Sequence, residues 1–391
     1  MTEDRKERGN VPNLRFPEFE GEWEEKKLGG FIDVISGIPL QSADISEDDS
    51  GIPILRGINI TEGFIRHNKD IDRYYPKTIN YNIQKYILEE KDLVLGMDGS
   101  KVGKNVAAIS NVDAGAILIQ RVARIKALKN SDIDFIFQII FSDKFRRYVD
   151  VVNTSSGIPH ISLQQIKDFV TGFPVIFTEQ NKIAKFLSLL DQRISTQNKI
   201  IEDLKLLKST IRNSLFRELR KTNSKTCIVR DVLNYEQPAK YIVESADYHN
   251  DSTLIPVLTA NKAFVLGYTS ENYGIYDKGD CIIFDDFTMD LKYVDFPFKV
   301  KSSAIKILTP KSGMNLKYIY EYLSFLNLAS SDHKRHYISE VESMSVYIPE
   351  LDTQNMFSDL FSALDKKIAG ESHYQDLLLS QKQYLLCQLF I

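Results

Sequence analysis

The sequence predicts an α+β protein. It consists of two similar mixed α/β domains joined by two long antiparallel coiled-coil helices, an internal repeat of pseudo-two-fold character. Three observations predict this. First, apolar residues at Ile183, Leu187, Leu190, Ile194, Ile201, Leu204, Ile211 and Leu215 alternate in steps of four and three once Gln197 and Lys208 are counted, which is a heptad seam. Second, shifting the chain by 174 residues lays the C-terminal segment onto this helix. Third, the strand-rich segment before the first helix has a counterpart before the second.

The chain in order runs as follows. Residues 1–13 are polar and are expected to be loose. The first domain spans 14–175 and opens with Leu14-Arg15-Phe16-Pro17-Glu18-Phe19, then Gly21-Glu22-Trp23; the single tryptophan is expected to anchor it. Ile52-Pro53-Ile54-Leu55, Asp92-Leu93-Val94-Leu95, Ala116-Ile117-Leu118-Ile119 and Ala123-Arg124-Ile125 read as short strands. One helix is expected over Ile133 to Val151, and a short one after Ile161-Ser162-Leu163. Pro174 ends the domain, and Thr178 is a candidate N-cap for the first long helix, residues 176–220. At 1.5 Å per residue, a helix of roughly 40 residues reaches about 60 Å.

The second domain, 221–349, repeats this grammar. Ile255-Pro256-Val257-Leu258 answers Ile52-Pro53-Ile54-Leu55, and Gly279-Asp280-Cys281-Ile282-Ile283 answers Lys91-Asp92-Leu93-Val94-Leu95. Tyr318 to Leu326 is again helical, and Pro349 is the stop before the second long helix, 350–391. Its seam is Phe357, Phe361, Leu364, Ile368, Leu378, Leu385 and Leu389. Polar breaks correspond too: Gln197 with Glu371, and Lys208 with Lys382. Each helix is expected to bury the other's stripe.

Composition narrows the function classes. A net charge of −4 argues mildly against nucleic acid, although a basic face can coexist with an acidic remainder. Cys227, Cys281 and Cys387 form no metal or disulfide pattern. The first residues lack the apolar core of a signal peptide, and no apolar run approaches the roughly 20 residues of a membrane span. The expected setting is the cytoplasm, with no membrane association.

Catalytic motifs fail on inspection. Gly99-Ser100-Lys101-Val102-Gly103-Lys104-Asn105 imitates a phosphate loop, but its glycines are too close and Asn105 stands where Mg²⁺ needs a hydroxyl. Asp295-Phe296-Pro297-Phe298 lacks a proline of the adenine-methyltransferase motif, and Glu89-Glu90-Lys91 lacks the upstream Pro-Asp of a nuclease. His333 and His336 have no third metal ligand nearby. No catalytic residue, cofactor or metal is expected.

What remains is a set of cationic and amide side chains at loop positions: Arg56, Asn59, Lys101, Lys104 and Asn105 in the first domain; Asn261, Lys262, His333, Lys334 and Arg335 in the second. The small-residue loop Ser155, Ser156 and Gly157 joins this set. Lys and Arg neutralise phosphates, and Arg, Lys, Asn and Gln pair with purine edges. The first long helix adds Lys182, Lys185, Arg193, Lys199, Lys205, Lys208 and Arg212, able to face a phosphate backbone or to keep the helix soluble. Off the seam, Phe186, Ile200, Leu206, Phe216, Leu360, Leu377 and Phe390 are expected to leave an outward apolar face for a protein partner.

The whole chain resembles the specificity (S) subunits of type I restriction-modification enzymes. The marks are Leu14-Arg15-Phe16-Pro17-x-Phe19-x-Gly21-x-Trp23, Pro256-Val257-Leu258-Thr259-Ala260-Asn261, the Pro174 and Pro349 stops, and the helices opening Glu179-Gln180-Asn181-Lys182-Ile183 and Thr353-Gln354-Asn355. The resemblance implies two target recognition domains, 14–175 and 221–349, each reading half of a split site in double-stranded DNA. It implies that the two helical regions hold methyltransferase (M) subunits, two of them, and that a motor-nuclease (R) subunit associates. It further implies a subunit that neither catalyses nor binds a cofactor. The rival expectations are a stand-alone DNA-binding regulator and a DNA-modifying enzyme.

Overall fold

A computed structural model describes residues 9–77, 82–153, 158–221, 225–259, 264–328 and 335–391. Two units divide the chain: Met1–Gln197 with Tyr374–Ile391, and Asn198–His373. The division cuts through both long helices, so each unit owns one globule and part of each helix.

The first unit holds β1 (Glu24–Lys27), β2 (Ile32–Ser36), β3 (Ile52–Leu55), β4 (Arg73–Tyr75), β5 (Leu93–Gly96), β6 (Val106–Ala108), β7 (Ile117–Leu118) and β8 (Val122–Ala127). Helices α1 (Ile133–Phe141), α2 (Asp143–Val152) and α3 (Leu163–Asp168) follow, then β9 (Val170–Phe173) and the start of α4 (Phe177–Lys221). Among the described residues the strands form sheets ordered β2-β8-β5-β6 and β4-β3-β7, plus the pair β1-β9. The β3-β7 pairing is parallel and the neighbouring ladders are antiparallel. Alternating apolar residues such as Val34 and Ile125 put one face of the larger sheet into the core, under Phe135, Ile139 and Phe145.

The second unit holds the end of α4, then β10 (Lys225–Ile228), α5 (Val229–Val232), β11 (Leu233–Glu236), β12 (Ile255–Leu258), β13 (Val265–Thr269), β14 (Cys281–Asp285), β15 (Leu291–Val294), β16 (Lys299–Val300) and β17 (Ile305–Pro310). Next come α6 (Leu316–Leu326), β18 (Ser345–Ile348) and the start of α7 (Leu351–Leu389). Its sheets run β11-β17-β14-β15, β13-β12-β16 and β10-β18, the first unit's order strand for strand. Here too the short β12-β16 pairing is the parallel one.

Within each unit α4 and α7 run antiparallel. In the first, Asp191 meets Lys382 and Arg193 meets Tyr374; in the second, Lys208 meets Asp365 and Phe216 meets Phe357. Ile183 and Leu187 are buried with Leu385 and Leu389 in the first unit, while Phe357 and Phe361 are buried with Phe216 in the second. Trp23 is buried as expected; its Nε1 donates to Glu179 Oε1 at 3.2 Å, and Arg15 Nε lies 2.7 Å from the same oxygen. That hydrogen bond and the Glu179 charge raise the Arg15 pKa against the opposing pull of burial.

Local chemistry explains where elements differ from expectation. The helix expected over Ile133 to Val151 is two helices. Ser142 breaks it, because its hydroxyl caps α2 by accepting from Phe145 N at 3.3 Å. α4 starts at Phe177, so Thr178 lies inside the helix rather than capping it.

Three expectations about side chains are corrected. Phe216 is fully buried among Tyr318, Tyr322, Phe325, Phe357 and Phe361, and Phe390 packs on Trp23 and Phe135. Both therefore belong to unit cores and not to an outward face. Lys208 and Arg212 do not face outward for a phosphate backbone; they are engaged with Glu321, which is 0% exposed, at 2.8 and 2.6 Å.

The two polar breaks at Lys208 and Lys382 turn out to do the same thing twice. Lys208 Nζ lies 2.6 Å from Asp365 Oδ1, and Lys382 Nζ lies 2.5 Å from Asp191 Oδ1. Both pairs obey the 174-residue offset. The globules then diverge. In the first unit Gln138 of α1 donates to Asp191 at 2.8 Å, whereas in the second Glu321 of α6 occupies the corresponding place. Burial beside Phe141, 3.8 Å from the ring centroid, lowers the Lys382 pKa, and Asp191 only partly opposes this. Burial pushes Asp365 up, but hydrogen bonds from Lys208 and Lys317 prevail and hold it below the ordinary carboxylate value.

Candidate nucleic-acid interface

The short β7 and the longer β8 belong to different sheets, so the chain must switch sheets over three residues, Ile119-Gln120-Arg121. The extension of β2 clamps this corner. Gly37 N donates to Val122 O at 3.1 Å, and Gln120 N donates to Ile38 O at 2.9 Å. Only glycine fits at 37, since a Cβ there would sit 2.1 Å from the Ile119 carbonyl oxygen. Arg121 turns the corner with φ +67°, the left-handed region that non-glycine residues seldom adopt.

Beside this corner is a cleft of about 480 Å³ lined by Arg56, Ile58, Asp98, Asn105, Gln120 and Arg121 among others. Arg121 Nη1 donates to Asp98 Oδ2 at 3.1 Å. Within this lining, the buried Arg56 Nε and Asn105 Oδ1 have no partner among the described residues. A further Arg56 nitrogen, Nη2, donates to the Ile71 carbonyl. Burial and the nearby Arg73 lower the Arg56 pKa. Cationic, amide and apolar groups around one concave surface can pair with the edges of bases.

Of the expected first-domain residues, Arg56 and Asn105 therefore come together. Asn59 does not join them. It is 1% exposed, its Oδ1 accepts from Arg56 N at 3.2 Å, and its Nδ2 reaches Arg66 O and Asp72 Oδ1. It holds the loop that carries Arg56, and this corrects its expected role as a contact residue. Lys101 is exposed and 3.8 Å from Glu62, and Lys104 is half-buried; neither lines the cleft. Arg335 is exposed in the second unit. Ser155, Ser156, Gly157, Asn261, Lys262, His333 and Lys334 lie outside the described residues.

Gln120 and Arg121 were missed by reading the sequence. The signal was present as a polar Gln-Arg pair between two apolar runs, the mark of a tight connection. Of the apolar candidates on the helices, Phe186, Ile200, Leu206, Leu360 and Leu377 are all exposed, Leu206 by 67%. Lys182, one of the helix cations, pairs with Glu18 and sits over the Phe16 ring. Among the described residues no cluster of His, Cys, Asp and Glu could hold a metal ion, and no helix is long and apolar enough to cross a membrane.

Residues 20–206 match the family described as type I restriction modification DNA specificity domain. The chain is 42% identical over 177 residues to the type I restriction enzyme EcoR124I/EcoR124II specificity subunit of Escherichia coli, covering 39% of this chain and 44% of that one. It is 29% identical over 192 residues to the EcoAI specificity subunit of the same organism, covering 48% of this chain and 31% of the other. The matched segments thus span less than half the length of these curated relatives. A crystal structure of a type I restriction-modification system S subunit from M. genitalium shares the fold, with TM-score 0.62, 16% identity, and 97% and 99% of the two chains covered.

Proposed function

We propose that this chain is the DNA specificity subunit of a type I restriction-modification complex. It reads a two-part site in double-stranded DNA, one part with each unit, and directs methylation or cleavage by partner subunits. The observation that carries this is the repetition of one strand order in two units whose loop residues differ, both built onto the same two continuous helices. A shared scaffold with different surfaces suits two readers with different targets. The match of residues 20–206 to a DNA specificity domain supports the reading for the first unit. Methylome sequencing of cells with and without the gene tests it. The expected result is one two-part methylated motif that disappears with the gene; a motif unchanged by the deletion refutes the reading.

Two methyltransferase subunits and motor-nuclease subunits are the partners in this proposal. The exposed apolar residues of α4 and α7 are where the methyltransferase docks. Ile200→Asp with Leu206→Asp, at side chains 40% and 67% exposed, is expected to weaken that association by about 30-fold or more while both units stay folded. Unchanged co-elution on size exclusion would remove the docking assignment.

The helices also set the spacer between the two half-sites in this proposal. Duplicating Lys199-Ile200-Ile201-Glu202 adds about 6 Å and slightly more than one turn, keeping the seam nearly in register. The expected motif keeps both half-sites and gains one or two base pairs between them, at about 3.4 Å each. An unchanged spacer in a folded, active variant counts against the helices as its determinant.

A further inference from the structure

The Arg121-Asp98 pair is hard to explain by stability. Arg121 is 68% exposed, and an ion pair so exposed contributes little. Its left-handed backbone is unfavourable for a residue with a Cβ. The surrounding hydrogen bonds nevertheless hold it there: besides the Gly37 and Gln120 bonds, Met97 N donates to Arg121 O at 2.9 Å. Strain kept by an over-determined backbone points to a side chain that must be in one place.

The side chain is also braced. Asp98 takes one guanidinium nitrogen at 3.1 Å, which restricts rotation and leaves the other donors without a partner among the described residues. A braced guanidinium presents two parallel donors at fixed spacing, the complement of guanine O6 and N7. Asn105 lines the same cleft, and its buried Oδ1 has no donor among the described residues.

We propose that the corner between β7 and β8 is a guanine reader: Arg121, positioned by Asp98, pairs with O6 and N7 of one guanine in the major groove of the half-site read by the first unit. The assignment rests on the specificity-subunit reading. It separates Arg121 from Lys101 and Lys104, which lie outside the cleft lining.

The test is selection from a randomised pool of DNA duplexes by the full chain, alone and in complex with its methyltransferase. Wild type, Arg121→Gly, Arg121→Lys and Asp98→Asn are compared. Glycine suits the left-handed backbone, so Arg121→Gly removes the side chain without adding strain. Wild type is expected to require guanine at one fixed position. Arg121→Gly is expected to lose about 5- to 150-fold of discrimination there and none elsewhere. Arg121→Lys keeps the charge but not the fork, so it should bind as well overall and discriminate poorly. Asp98→Asn should lower discrimination at the same position only. If Arg121→Gly weakens all sequences alike, or leaves the selected sequence intact, the guanine assignment is overturned while the specificity-subunit reading stands. If wild type in complex selects no two-part sequence, that reading itself fails.

Discussion

Glu321→Ala is expected to cost the second unit about 3–5 kcal/mol. The carboxylate is 0% exposed, and three cations converge on it: Lys208 at 2.8 Å, Arg212 at 2.6 Å and Lys317 at 3.4 Å. Without it, Asp365 is the carboxylate left beside them among the described residues, bonded to Lys208 and Lys317 at 2.6 Å each. Arg212, whose side chain is 19% exposed, then keeps a partly buried charge without its carboxylate partner, and much of the desolvation cost appears. Glu321→Gln copies the residue the first unit uses, Gln138, but brings no negative charge; its expected cost is about 1–3 kcal/mol. Native-state hydrogen exchange at α6 measures both. A loss under about 1 kcal/mol for the alanine variant would mean that the cations find other partners or that water enters.

Phe216→Ala is expected to cost about 3–5 kcal/mol. The ring is packed edge-on by Tyr322 at 5.2 Å and Tyr318 at 5.6 Å, and tilted against Phe325 at 5.5 Å between centroids. Removing it leaves a cavity bounded by α4, α6 and α7, and rigid rings refill such a space poorly. Urea unfolding of the full chain reads the loss, with the fluorescence of Trp23, which lies in the first unit, as an internal reference. A stable variant that merely fails to bind the methyltransferase would return Phe216 to the role of a docking residue.

How far the sequence disclosed this fold can be judged from the same residues. The 3-4 spacing of apolar positions located α4 and α7, because a helix pair needs periodic burial and little else. The correspondence of Lys208 with Lys382 was visible, but the partners were not. Leu190-Asp191 and Leu364-Asp365 correspond at the same offset, but nothing in the spacing says that these aspartates pair with the two lysines across the helices. Phe216 and Phe390 misled for a related reason. A residue off the two-helix seam looks outward until a third surface, here the globule, covers it. Asn59 was chosen for a side chain that suits base pairing, yet the same amide serves a buried loop equally well. Arg121 went unread because a sheet-switching corner leaves no periodic trace; its importance lies in a backbone angle and a clamp formed by residues more than eighty positions earlier.

The division of the long helices also orders events during synthesis. Asn198–His373 is a continuous stretch that can close as soon as it has left the ribosome. The first unit cannot. Its core includes Leu385, Leu389 and Phe390, and Leu14 N donates to Gln388 O at 3.0 Å. At about 5–20 residues per second, the N-terminal globule waits roughly 10–40 s for the helix end that completes it. Over that interval Trp23 and Phe135 lack the Phe390 ring that packs on them in the finished unit, so the portion translated first is expected to be the last to reach its final packing.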